Sequence, residues 1–353
     1  MLSVDQPIQG AQDLRIAELD ALRGLAVLAV LLFHYTSRYD GIYGYPDPPL
    51  LAFPDGHFGV EFFFAISGFV ITWTTSRTRD VRDFFISRFS RLWPAYAAGV
   101  LLTWSIVATF GLPGREYGPL HALFNLTMVQ ELFGMPHVDG AYWSLYVELI
   151  FYAWTAAALA CGVLGRRIAI VCTGLVACVA LQAVQDAFGL WIPGRGLKLA
   201  LADFFPFFAI GILVFDARTA GRLHWHHVAL LFAAIAVAGY ANHRIAFAVV
   251  AALAALFITG AAFGTMRFLA VRPLLFLGSI SYSLYLVHQN IGYVVIRQAL
   301  ASGWATELAI LAATVLCLAL AMLLRSAVEV PAQRAIRRWY AARGQRVATA
   351  RTD

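Results

Sequence analysis

The stretch R-G-L-A-V-L-A-V-L-L-F-H occupies residues 23–34. Ten apolar residues stand between an arginine and a histidine. A helix that crosses a bilayer needs about 20 mostly apolar residues, and this run with its flanks forms the heart of one. The composition agrees. Hydrophobic residues make up 61% of the chain and charged residues 13%, whereas soluble domains carry about 25% charged residues. The chain is therefore read as an all-α, polytopic integral membrane protein. Asp5, Asp13 and Glu18 lie in its first eighteen residues, where a secretory signal peptide would be basic and then apolar. Residues 1–17 are expected to form a short, retained polar tail.

A formal charge of +6 does not point to nucleic acid, because basic residues gather in the cytoplasmic loops of membrane proteins. Cys161, Cys172, Cys178 and Cys317 lie in apolar runs, without a CxxC pair or a zinc-spaced histidine cluster. No metal site is expected.

Hydropathy marks ten spans, near 19–37, 58–76, 92–111, 141–163, 168–188, 197–216, 226–241, 245–264, 273–297 and 305–325. The piece 121–133 is too short and polar for a clear span and reads as interfacial or re-entrant. With both termini cytoplasmic and 121–133 not crossing, Arg77, Arg79, Arg82, Arg88, Arg91, Arg166, Arg167, Arg218, Arg222, Arg267, Arg272, Arg334, Arg337 and Arg338 fall inside. Arg38, Arg115, Arg195, Lys198, Arg244 and Arg297 remain outside. That asymmetry obeys the positive-inside rule. Residues 1–330 are expected to form one transmembrane domain. Residues 331–353 form a basic cytoplasmic tail that would lie on anionic headgroups.

Arg23 and His34 are eleven residues apart. At about 100° per residue they share a helix face, roughly 16 Å apart along the axis. Taken singly, Arg23 can snorkel to headgroups and His34 can sit at a helix end. Ionisable groups inside a membrane are costly, however, and mark function. The long arm of a coenzyme A thioester is comparable in length to this gap, though the spacing alone does not select it: Arg23 would grip phosphate, and His34 would face the thioester as a general base.

Four further blocks accompany this one: F-F-F-A-I-S-G-F-V-I at 62–71, R-F-S-R-L-W-P at 88–94, W-S-L-Y-V-E-L-I-F-Y at 143–152 and S-I-S-Y-S-L-Y-L-V-H at 279–288. In this order, over residues 14 to 330, the chain resembles the membrane-bound acyltransferase-3 family of bacterial O-acyltransferases. The resemblance implies an acyl-coenzyme A co-substrate, acetyl most simply. It implies a hydroxyl acceptor on a carbohydrate or glycolipid of the cell envelope, and a multi-pass place in the bacterial inner membrane. Some relatives carry an extracytoplasmic esterase-like domain. The chain ends soon after Pro331, so direct transfer is expected, or delivery to a separate periplasmic protein.

The resemblance, together with a physical reading of each motif, suggests roles for individual residues. Arg88 and Arg91, three apart on one helix face, would complete a phosphate cradle with Arg23. Glu148 lies inside a span in the same outer half as His34, and that shared depth would let it orient His34 and stabilise its imidazolium; alternatively it would bind acceptor hydroxyls. Trp143, Ser144, Tyr282, Tyr285 and His288 would line the cavity. Ser67 and Gly68 are read as permitting close helix contact. Glu61 is placed near water at a span end, and Glu329 and Pro331 are read as structural. No GxSxG, HExxH, P-loop or Rossmann pattern occurs, which argues against hydrolase, zinc-protease and nucleotide-driven pump chemistry. The competing class is a proton-coupled transporter of a small solute or lipid-linked sugar, which intramembrane Arg, His and Glu would also suit.

Overall fold

The computed structural model describes residues 16–78, 80–188 and 194–349. The polar tail up to residue 15, Arg79, the Arg195 side chain and residues 350–353 lie outside the described residues. Every regular element among the described residues is helical. In order they are α1 (Ala17–Leu32), α2 (Tyr39–Tyr43), α3 (Gly59–Thr75), α4 (Val81–Phe110), α5 (Pro119–Asn125), α6 (Trp143–Ala160), α7 (Arg167–Phe188), α8 (Gly194–Leu199), α9 (Phe205–Thr219), α10 (Trp225–Ala241), α11 (Ile245–Ala262), α12 (Arg272–Val287), α13 (Gln289–Ala301), α14 (Thr306–Leu324) and α15 (Val330–Thr349).

Six helices among the described residues are long and apolar enough to cross a membrane: Pro54–Thr75, Val81–Phe110, Gly140–Ala160, Arg167–Phe188, Ile245–Ala262 and Thr306–Arg343. The other expected spans are shorter or interrupted. The expected span 197–216 divides into α8 and α9, because Leu201 adopts a φ of 55° and Pro206 opens α9. The expected span 273–297 parts into α12 and α13 at His288. R-F-S-R-L-W-P is cut by the start of the expected span at 92, but the helix is continuous through it. It lies inside α4, which starts at Val81, where the Asp80 side chain accepts the Arg82 amide. The stretch 121–133 holds only the end of the seven-residue α5 and the 3-10 turn Gln130–Phe133, both too short to cross. The basic tail is largely helix. A π-helical segment, Arg325–Glu329, carries α14 into α15, which packs along α4.

Two glycine crossings hold the core. A Cβ at Gly278 would overlap the Asp20 carbonyl oxygen, and one at Gly24 would overlap that of Leu274. Only glycine lets the α1 and α12 backbones approach so closely. Gly68 and Gly211 bring α3 onto α9 in the same way, as the sequence reading expected of Gly68. The first crossing, with Gly59 of α3 set against the Ala26 carbonyl of α1, seats α1 between α3 and α12 and so sets the positions of Arg23 and His34.

Candidate active site

A cavity of about 110 Å³ lies between α1, α3, α4, α6 and α12. Arg23, Arg88 and Arg91 line it, with Glu148, Ser144, Tyr282 and Tyr285. Seven of the residues expected at the site thus share one chamber. The guanidinium of Arg88 lies 5.9 Å from the Tyr152 ring centroid and that of Arg91 lies 5.7 Å from the Tyr282 ring. The Nε atoms of Arg23 and Arg88 are buried without a hydrogen-bond partner. A buried donor without an acceptor is unfavourable, so this chamber is chemically suited to an anion.

Glu148 belongs to this chamber. Its Oε1 accepts from Ser67 Oγ at 3.0 Å and from the Tyr152 hydroxyl at 2.5 Å. It also lies within electrostatic reach of Arg23. No hydrogen bond joins Glu148 to His34, contrary to the expected pair. Glu148 sits one helical turn beyond Ser144 on α6, and that turn moves it about 6 Å toward the arginine end. Ser67, read from sequence as packing only, is therefore a partner of the carboxylate. Arg91 is only partly free. It forms a 2.6 Å ion pair with Glu329, whose other oxygen accepts from Ser283 Oγ at 2.6 Å. Glu329 is buried, so the ion pair and the serine together satisfy its charge.

His34 lies in the π-helical segment Phe33–Arg38. Such segments are rare and recur at functional sites. Its Nδ1 is 2.8 Å from the Val30 carbonyl oxygen and 3.2 Å from His288 Nε2. A carbonyl only accepts, so Nδ1 of His34 carries the proton and Nε2 keeps its lone pair. His288 Nδ1 donates in turn to the Tyr285 carbonyl at 2.9 Å, which leaves His288 Nε2 as an acceptor for His34. The two rings meet edge-on, with centroids 4.8 Å apart. The partner of His34 is thus His288 rather than Glu148. Tyr285 joins the two halves of the site. It lines the arginine chamber, shares a 2.7 Å hydrogen bond with Ser144 Oγ, and holds His288 through its backbone.

Two further expectations are corrected. Trp143 does not line the chamber. It packs against Phe64 and Phe204, with Lys198 Nζ 5.9 Å from its ring centroid. Glu61 is not solvated. It is 4% exposed, and its Oε2 has no partner.

The sequence reading also missed two polar groups, Tyr152 and Asp139, and the partner of a third, Glu329, which it read as structural. Tyr152 lies four residues after Glu148 on the same helix, a spacing that could have revealed it. Glu329 gave no local signal, because its partner is on α4. Asp139 is fully buried and accepts the backbone amides of Ala141 and Asn290. Burial pushes its carboxyl up to about 6 even though those amides pull the other way. In the nearby loop, burial alone would raise Glu131, yet hydrogen bonds from His137 and Lys198 leave it below its ordinary value.

A family profile described as an acyltransferase domain matches residues 16–326. The chain belongs to the acyltransferase-3 family. Among curated relatives of this family, Nodulation protein 10 of Rhizobium leguminosarum bv. viciae is 25% identical over 49% of this chain and 50% of its own length. Peptidoglycan O-acetyltransferase OatA of Listeria monocytogenes is 26% identical over 40% of this chain and 24% of its own length. Acyltransferase MdmB of Streptomyces mycarofaciens is 27% identical over 39% of this chain and 38% of its own length. The chain therefore spans at most about half the length of these relatives. No solved structure matches it significantly. The helices and the family together make this a multi-pass membrane protein. Among the described residues, no group of three or more His, Cys, Asp or Glu is placed to hold a metal ion.

Proposed function

We propose that this chain is a membrane-bound O-acyltransferase. It would take an acyl group, acetyl in the simplest case, from acyl-coenzyme A and pass it to a hydroxyl of a cell-envelope or secreted glycan. The observation that carries this reading is the arginine chamber ending at Tyr285, whose backbone holds the His288–His34 pair. In this reading the arginine end faces the bacterial cytoplasm, with both termini there. The shorter helices complete about ten crossings of the inner membrane.

The chemistry follows from the donors and acceptors in place. Arg23 and Arg88 would hold the diphosphate with charge-assisted hydrogen bonds, and the chamber would take the pantetheine arm. Glu148 would position Arg23 and the Tyr152 hydroxyl rather than move protons at the reacting carbon. At the far end, Nε2 of His34 would remove the proton from the acceptor hydroxyl. The hydroxyl oxygen attacks the acyl carbonyl, the C–S bond breaks, and the thiolate leaves with the electron pair. The imidazolium then returns its proton to the thiolate. While His34 is charged, the Val30 carbonyl and His288 Nε2 both accept from its Nδ1–H.

The test uses membranes bearing the protein and acetyl-coenzyme A labelled in the acetyl group. Thiol release and label transfer to envelope glycan are followed for wild type and His34→Ala. General-base catalysis contributes about 10²- to 10⁴-fold, so a loss of that size at unchanged membrane level supports the assignment. Equal activity in the variant removes His34 from the chemistry. Persistent silence of the wild type, with proton-coupled solute uptake, would favour transport instead.

A further inference from the structure

The basic segment after α14 packs along α4, and its path brings a fourth arginine near two of the chamber arginines. Two side-chain anchors fix that path. At one end Arg91 of α4 pairs with Glu329 at 2.6 Å. At the other, the Tyr340 hydroxyl donates to Asp83 Oδ1 at 2.7 Å. Going from Arg91 back to Asp83 on α4 corresponds to going from Glu329 forward to Tyr340 on α15, so the two helices run antiparallel. Arg337 lies between the anchors, exposed, and within electrostatic reach of both Arg88 and Arg91.

Arg337 thus lies near two of the chamber arginines, Arg88 and Arg91, and Arg91 lies near the third, Arg23. The acids that face them are already engaged. Glu329 is bound to Arg91 and Ser283, Asp83 to Tyr340, and Glu148 to Ser67 and Tyr152. Asp20 lies near Arg23 and also has a partner. Arg337 has no acid within ion-pair distance among the described residues. The buried, unpartnered Nε atoms of Arg23 and Arg88 are a second sign that this cluster awaits an anion. Neither Arg88 nor Arg337 has an ion-pair partner among the described residues, and a bound polyphosphate would relieve the repulsion between them.

We propose that Arg337 of α15 is a donor-binding residue that recognises the 3′-phosphate of coenzyme A. The assignment rests on the acyl-coenzyme A reading above. Its order of contacts follows from depth. Arg23 and Arg88 line the chamber, whereas Arg337 is exposed and lies outside it. In coenzyme A the thioester, the pantetheine, the diphosphate and the 3′-phosphate follow one another. With the diphosphate at Arg23 and Arg88, the outermost guanidinium meets the outermost phosphate. Arg91, neutralised by Glu329, serves mainly to dock α15.

A phosphate at Arg337 has two sources, the donor nucleotide or an anionic lipid headgroup. The experiment separates them. Full-length protein in zwitterionic nanodiscs is titrated calorimetrically with coenzyme A and with 3′-dephospho-coenzyme A. Wild type is expected to prefer coenzyme A by about tenfold, the worth of one charge-assisted contact. Arg337→Gln should bind both ligands equally, and Arg338→Gln should keep the preference. An undiminished preference in Arg337→Gln overturns the proposal and leaves the donor reading intact. So does a wild-type preference that disappears when phosphatidylglycerol is added, since Arg337 would then be serving the headgroup. Failure of wild type to bind either nucleotide overturns the donor reading, and this proposal with it.

Discussion

Replacing His288 with alanine removes the acceptor that faces His34 Nδ1 at 3.2 Å. In the resting enzyme the loss is small, because the Val30 carbonyl still accepts the same proton at 2.8 Å. Once His34 has taken a proton, its Nδ1–H is charged, and the lost bond is worth about 1.5–3 kcal/mol. At about 1.36 kcal/mol per decade of rate, that is a fall of roughly 10- to 150-fold in kcat. The effect belongs to the transition state, so KM for acyl-coenzyme A should stay within about twofold. Glutamine places a polar atom near the position of Nε2, and His288→Gln should recover part of the rate. Purified variants are assayed for thiol release at saturating donor, with thermal midpoints as a check on folding. A folded His288→Ala enzyme with kcat within about twofold of wild type would refute the claim that His288 steadies the imidazolium. A loss confined to KM would refute the separation of donor chamber from histidine pair.

Further outcomes follow from the same geometry. Glu148→Gln, assayed by initial rates over a donor series, should raise KM for acyl-coenzyme A more than it lowers kcat, because the carboxylate sits with Arg23 and Tyr152 and not at His34; a pure kcat loss would return it to the chemistry. Gly278→Ala should destabilise by about 1–3 kcal/mol or more, as overpacking does, since its methyl would meet the Asp20 carbonyl; an unchanged thermal midpoint in detergent would mean that α1 and α12 separate easily. Glu131 is held below its ordinary value of 4.5 by His137 and Lys198, against the opposing effect of burial. Its contribution to stability is therefore complete above that value and is lost as pH falls through the lower folded value. The thermal midpoint of wild type should drop more steeply with acidification below 4.5 than that of Glu131→Gln, and parallel curves would count against the clamp.

The membrane class and most residues of the candidate site are legible in one dimension. A charged group inside an apolar run is conspicuous wherever it occurs, because burying it is costly. Arg23, His34 and Glu148 announce themselves in that way, and Arg88 and Arg91 do so by their spacing. The spans were less legible. Hydropathy averages over a window, so it passes over Leu201 with its positive φ and the break at His288, and it cuts the polar start off α4.

Partnership was decided only by tertiary structure. His34 meets His288 across 254 residues, and Arg91 meets Glu329 across 238. Shared depth in a membrane made a His34–Glu148 pair reasonable, but depth does not say which helices are neighbours. That is settled by backbone contacts at Gly24, Gly278, Gly68 and Gly211, which dock α1 on α12 and α3 on α9. The sequence by itself determined which side chains had to be sheltered from lipid. The packing of the helices decided which of them shelter one another, because a hydrogen bond reaches only about 3 Å and hydropathy carries no information at that range.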